Sequence, residues 1–187
     1  MISAVLDACV LYSASLRDFL LRLADERLVD PFWSEEIQNE WMRNLLRKQS
    51  ELTLEKLERT CREMNSHYPN GIVRGYESII PTLALPDPKD RHVLAAAIHA
   101  QAECIITFNL KDFPHSVLKS YGIAALSPDE FVFRLIQLEP PLVALAAKHH
   151  RLSLKKPPKT VAEYLETLEQ QGLPKTVAFL RKHEADI

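Results

Sequence analysis

The chain has 187 residues, enough for one domain of ordinary size with an appendage, and its 47% hydrophobic and 26% charged residues are a globular balance rather than a disordered one. A formal net charge of −2 excludes nucleic-acid binding through bulk charge, so any such contact must come from local basic patches. Cys9, Cys61 and Cys104 are odd in number and lack C-x-x-C spacing, which argues against a disulfide framework or a Cys-rich zinc site and for a reducing, cytoplasmic setting.

The apolar run Ile2 to Leu6 ends in Asp7 and has the length of a buried parallel strand. With no basic stretch before it and an acid after it, it is neither a signal peptide nor a membrane span. Leu16, Phe19, Leu20 and Leu23 follow at helical spacing, and Leu28-Val29 predicts a brief strand that stops before Pro31. Ser34 offers an N-cap, with Glu35 and Glu36 in the first turn of a helix striped by Ile37, Trp41, Leu45 and Leu46. A polar helix is predicted from Ser50 to Asn65, with Leu54, Leu57 and Cys61 on one face, and Tyr68-Pro69-Asn70-Gly71 marks a turn.

Asp87-Pro88-Lys89-Asp90 is a helix start, with Asp87 as cap and Pro88 at the first position. Strands are predicted at Cys104 to Thr107 and Ile123 to Leu126, and Ser127-Pro128-Asp129-Glu130 reads as a capping box. Alternating strands and helices predict a three-layer α/β/α sandwich on a mainly parallel sheet. Residues 129–187 hold no strand candidate and read as a helical C-terminal extension to a domain at 1–128. Two helices of the extension are expected to form a hairpin through Gly172 and Pro174, and removal of 141–187 is expected to leave the carboxylate site and basal cleavage intact while weakening RNA binding and its salt dependence.

Asp7 ends the first strand, Glu40 lies on the second helix between apolar neighbours, Asp90 opens a helix, and Asn109 and Asp112 follow a strand. In parallel α/β sheets these are the places where sites form. Clustered carboxylates repel unless a cation neutralises them, and hard oxygen donors select Mg²⁺ or Mn²⁺. The chemistry that follows is metal-dependent phosphoryl transfer. Each residue also has an ordinary structural use: Asp87 as a cap, Asp90 as its complement, Glu40 as a solvated helix acid. Arg43, Arg47, Lys89, Arg91 and Lys111 surround these positions as candidate RNA-phosphate contacts, and His149 to Lys159 form a second basic patch. His92, two residues after Asp90, is in position to approach the site but reads first as a surface residue, and the histidines show no zinc spacing.

Taken together, VLDACVLY at 5–12, EEIQNEWMRNL at 35–45, LPDPKDRHVLAAAI at 85–98 and IITFNLKDF at 105–113 resemble the PIN-domain family in order and spacing, across about residues 1–128. The resemblance is closest to toxins of the VapC type. It implies an endoribonuclease in which Asp7, Glu40 and Asp90 hold Mg²⁺ or Mn²⁺. The fourth family position falls on Asn109, a neutral amide here, with Asp112 as a further candidate. It also implies an RNA substrate, a cognate antitoxin protein, no membrane association and a homodimer. Two other readings compete. One is a non-catalytic PIN module that binds RNA or protein. The other is a phosphatase of the haloacid dehalogenase type, which wants Asp-x-Asp where this chain has Asp7-Ala8-Cys9.

Overall fold

A computed structural model describes residues 1–187. The chain runs β1 (Ile2–Leu6), α1 (Ala8–Leu11), α2 (Ala14–Asp25), β2 (Val29–Ser34), α3 (Glu35–Lys48), α4 (Leu54–His67) and β3 (Ile72–Val73). It continues through α5 (Arg91–His99), β4 (Cys104–Ile106), α6 (His115–Leu118) and β5 (Ala124–Leu126), and ends in α7 (Pro128–Leu138), α8 (Pro140–Ser153), α9 (Val161–Gln170) and α10 (Pro174–Leu180). All strand pairs are parallel, in the order β3-β2-β1-β4-β5. From β1 the chain steps outward twice to β3, then returns to the other side of β1 for β4. Right-handed crossovers therefore put α2 to α4 over one face and α5 and α6 over the other, the expected three-layer α/β/α sandwich. No helix is long and apolar enough to cross a membrane.

The local signals act as expected at most helix starts. Ser13, Ser34, Thr53 and Ser127 each accept from a backbone N–H in the first turn. The Ser127 cap is only half of a box, because Glu130 turns away to pair with Lys175. The polar helix starts at Leu54 rather than Ser50, and Leu54 is exposed while Leu57, Cys61 and Met64 carry its buried face.

One strand reading is corrected, and one strand was not foreseen. β2 does not stop before Pro31 but runs through it to Ser34. The Trp33 N–H donates to Gly71 O at 2.9 Å, so the N–H side of Pro31, two residues earlier, faces the same way. β3 begins only at Ile72, opposite Trp33, so on that side Pro31 has no strand partner, Ala4 of β1 lying on the other, and no ladder bond is lost. β3 itself is two residues long and follows Gly71, where a Cβ would lie 2.8 Å from Pro31 O. Only glycine lets the chain approach that closely.

The C-terminal helices belong to the same interior as the sheet. Val143, Ala146 and Ala147 of α8, Tyr164 and Leu168 of α9, and Val177 and Leu180 of α10 join Phe19, Leu16 and the strands in one core of 52 buried residues. The α9–α10 hairpin forms as expected, with Gly172 at φ +79° between the helices. Removing 141–187 would take from α2 the helix that covers it, so the shared core speaks against a carboxylate site that stays intact without the extension. The basic patch at 149–159 is also largely structural. His149 pairs with Glu26, His150 is buried, and Arg151 donates to the carbonyls of Lys159 and Ile187. Lys155 and Lys156 remain exposed, while Lys159 is half-buried against Thr167.

His150 stacks on Phe19 with ring centroids 5.9 Å apart, and its Nδ1 lies 3.1 Å from the Tyr164 hydroxyl. Burial, helped by the charges of Arg22 and Lys159, pushes it down to about 4 from 6.5. The unfolded chain therefore takes up this proton first, and stability falls as pH drops from about 6.5 towards 4, by about 3 kcal/mol. Thermal melts across that window are expected to show the loss in the native chain and to show less of it in His150→Gln. An identical pH profile in both would contradict the assignment.

Candidate active site

Strand order reverses between β1 and β4, and in open α/β sheets the crevice outside the carboxyl ends of two such strands is where ligands bind. Asp7 leaves β1 at that point. Its backbone N–H donates to Ile106 O on β4. Its carboxylate is 4% exposed and caps α1, accepting from Ala8 N at 2.6 Å. Oδ2 accepts from the Thr107 hydroxyl at 2.7 Å and from the Cys9 thiol at 3.2 Å. Burial pushes the Asp7 carboxyl above its ordinary value, and the Glu40 charge adds to the rise, while the hydrogen bonds from Thr107, Cys9 and Ala8 oppose it. Burial, with the Asp7 charge next, pushes the Cys9 thiol up to about 12, so it stays protonated and able to donate.

Asp90 ends the short 3-10 turn Pro88–Asp90, and α5 begins behind it. Asp87 does the capping, accepting from Lys89 N at 2.9 Å, and the Asp90 carboxylate makes no cap bond. Asp90 therefore takes no part in a capping bond, although its charge still stands at the start of α5. Burial, followed by the charges of Asp7, Asp87, Asp112 and Glu40, pushes Asp90 up to about 6. The charges of Asp7, Asp112 and Glu40 thus all reach Asp90. Asp112 sits in the turn Leu110–Asp112 after β4, and Asn109 precedes it, exposed, with its backbone N–H donating to Thr107 Oγ1 at 3.0 Å.

Glu40 is half-buried in the middle of α3 and approaches from the side. His92 of α5, 5% exposed, brings Nε2 to 3.4 Å from Glu40 Oε2 and Nδ1 to 3.8 Å from Glu36 Oε2. The surface reading of His92 is thus wrong. The helical spacing 36–40 places two acids on one face of α3, and α5 lays a buried imidazole across them. Thr107 is the second residue the sequence reading left without a role. Fully buried, its one hydroxyl joins Asp7 to the Asn109 backbone and lies 3.4 Å from Cys9 Sγ. A threonine closing an apolar strand just before an Asn was the available signal.

The oxygen-rich donor set suits a hard divalent cation. No three His, Cys, Asp or Glu side chains stand close enough together to hold an ion as they are placed. Burial and the like charges of Asp7, Asp112 and Glu40 raise Asp90, but the acids form no closed ligand cage. Of the candidate phosphate contacts, Arg43 and Arg47 are exposed on α3, and Lys89 and Lys111 are exposed beside Asp90 and Asp112. Arg91 is half-buried, and its Nε has no hydrogen-bond partner.

The fold is a parallel α/β sheet with Asp7, Asp90 and Asp112 near its switch point. The PIN-domain family model matches residues 3–111, and this chain belongs to that family. The model described as the VapC50 C-terminal domain matches residues 128–182. A Mycobacterium tuberculosis protein named "Putative ribonuclease VapC50" is 46% identical over 74 residues, which cover 37% of this chain and 43% of that protein. The alignment thus spans less than half of the relative's length. No solved structure matches the chain.

Proposed function

We propose that the protein is an Mg²⁺- or Mn²⁺-dependent endoribonuclease and the toxin half of a VapC-like pair. The observation that carries this reading is the place of Asp7, Asp90 and Asp112 at or just beyond the sheet's switch point, within the stretch that matches the PIN-domain family. Asp7, Glu40 and Asp90 would hold the cation, with Asn109 and Asp112 beside them. A divalent ion in such a site supplies Lewis acidity and lowers the pKa of bound water. The protein's own part is positional. Thr107, Cys9 and the Ala8 amide fix the orientation of Asp7, and His92 packs beside Glu40. Arg43, Arg47, Lys89, Arg91 and Lys111 would receive the phosphates on either side of the cut.

Within this reading, residues 1–128 form the nuclease part and 129–187 the extension. The partners are RNA, a cognate antitoxin that covers the acids, and a second copy of the chain. The unpaired Cys9, Cys61 and Cys104 suit a reducing cytoplasm. The spacing of the acids favours one alternative, a PIN module that binds RNA or protein without cutting. Cleavage of an RNA panel in Mn²⁺, with Asp7→Asn as control, separates the two.

The cation also has a signature in stability. Asp90 is a carboxylate raised by burial and like charges, so its ionisation at neutral pH works against folding. Asp90→Asn is expected to stabilise the metal-free protein, on the order of 1 kcal/mol once solvent screening is allowed for. Mn²⁺, binding the native state alone, is expected to raise the Tm of the native chain more than that of the variant. Melts of both proteins with and without Mn²⁺ test this. A metal-free variant less stable than the native chain would contradict the repulsion.

A further inference from the structure

Phe108 and Leu110 are among the large apolar side chains left in solvent, at 46% and 44% exposure, and they flank Asn109. Phe108 is held in place from behind. Its backbone N–H donates to Cys9 Sγ at 3.3 Å, and Cys9 in turn touches Asp7. One edge of the ring meets the α9–α10 turn, where a Cβ on Gly172 would lie 3.6 Å from Cε1. The neighbouring Gln171 side chain accepts a hydrogen bond from Ser13 at the start of α2. The extension thus reaches the rim of the acid crevice and backs one aromatic ring there. Exposed Lys111 sits three residues on.

We propose that Phe108, backed by Gly172, is a stacking subsite for an unpaired base of the RNA strand beside the acids. This rests on the ribonuclease reading and deepens it, since it selects single-stranded RNA. A ring anchored next to the acid cluster, with a cation nearby, matches a nucleotide in both its parts: base on the ring and phosphate on Lys111. Bases inside a duplex are stacked on one another and closed to such a ring, whereas bases in loops and ends are open to it. An apolar side chain of a protein partner would be served equally well by leucine at this position. A base would not, because stacking needs an aromatic face.

The test uses the full-length chain and short fluorescently labelled single-stranded RNAs, in EDTA so that nothing is cut. Phe108→Ala and Phe108→Leu are each expected to weaken binding about tenfold, and Phe108→Trp to restore it to within about twofold. Removing one base from the RNA, at the position that meets the ring, is expected to abolish the difference between native chain and Phe108→Ala. Unchanged melting of the variants checks that they fold. Full affinity in Phe108→Leu overturns the proposal and assigns the ring to a protein contact. Equal losses on duplex RNA, or losses indifferent to every abasic position, overturn it too. The same RNAs incubated with Mn²⁺ separate the two readings. Cleavage unaffected by Phe108→Ala removes the subsite alone, while neither cleavage nor binding by the native chain removes the ribonuclease reading with it.

Discussion

Asp7→Asn is expected to lower RNA cleavage by roughly a thousandfold, about 4 kcal/mol of transition-state stabilisation, while the chain stays folded. The substitution keeps the size of the side chain and an oxygen to accept from Ala8 N. It removes the charge that the Asp7 position brings to the centre of the crevice. The fold survives because the cap on α1 persists and because a desolvated carboxylate, raised by burial and by Glu40, is no asset to the native state. Single-turnover cleavage and a thermal melt on one preparation check both halves. A folded variant that cuts at the native rate would remove Asp7 from the chemistry.

Asp129→Ala is expected to destabilise the protein by about 3 kcal/mol, roughly 10 °C in Tm for a chain of this size. Asp129, 6% exposed at the start of α7, accepts from the Lys175 N–H at 3.0 Å and from the Thr176 N–H and hydroxyl at 2.9 Å each. Those donors are the first turn of α10, whose own cap, Leu173, has no side-chain oxygen to offer. One carboxylate therefore latches the C-terminal hairpin to the rest of the molecule. Alanine leaves buried donors without acceptors, and Asp129→Asn, which keeps one acceptor, is expected to recover part of the loss. Calorimetry on the three proteins decides this. A loss below about 1 kcal/mol in the alanine variant would mean the hairpin is held by its apolar face alone.

These expectations draw unequally on what the sequence shows by itself. Asp7, Asp90 and Asn109 were legible because each sits where a short apolar run stops or a capped helix starts, and such punctuation is local. Glu40 was legible only through the family resemblance, since a helix acid looks solvated until α5 lays His92 against it. The spacing of Glu36 and Glu40 carries no trace of that contact, which spans more than fifty residues of chain. β2 was cut short because Pro31 is a strand-breaker by rule, and the exception depends on β3 starting two residues too late to meet it. β3, at two residues, is below the length at which periodicity exists. The extension's apolar stripes were plain, and so was their general target, the nuclease domain or the facing helix, but not which element they cover. Stripes say that a face must be buried, and only the packed structure says that α2 and the Phe108 rim lie beneath it.

The central claim is hydrolysis of RNA by water at a cation-loaded carboxylate site. It is tested most directly by the ends of the cut strands. Single-stranded RNA should be cleaved in Mg²⁺ or Mn²⁺ and left whole in EDTA. Attack by water leaves a plain phosphate on one fragment and a hydroxyl on the other, with no 2′,3′-cyclic phosphate. Mass spectrometry of the fragments reads this in one experiment. Cyclic phosphate ends, or cleavage undiminished by EDTA, would mean that the 2′-hydroxyl attacks and that Asp7, Glu40 and Asp90 hold no working cation.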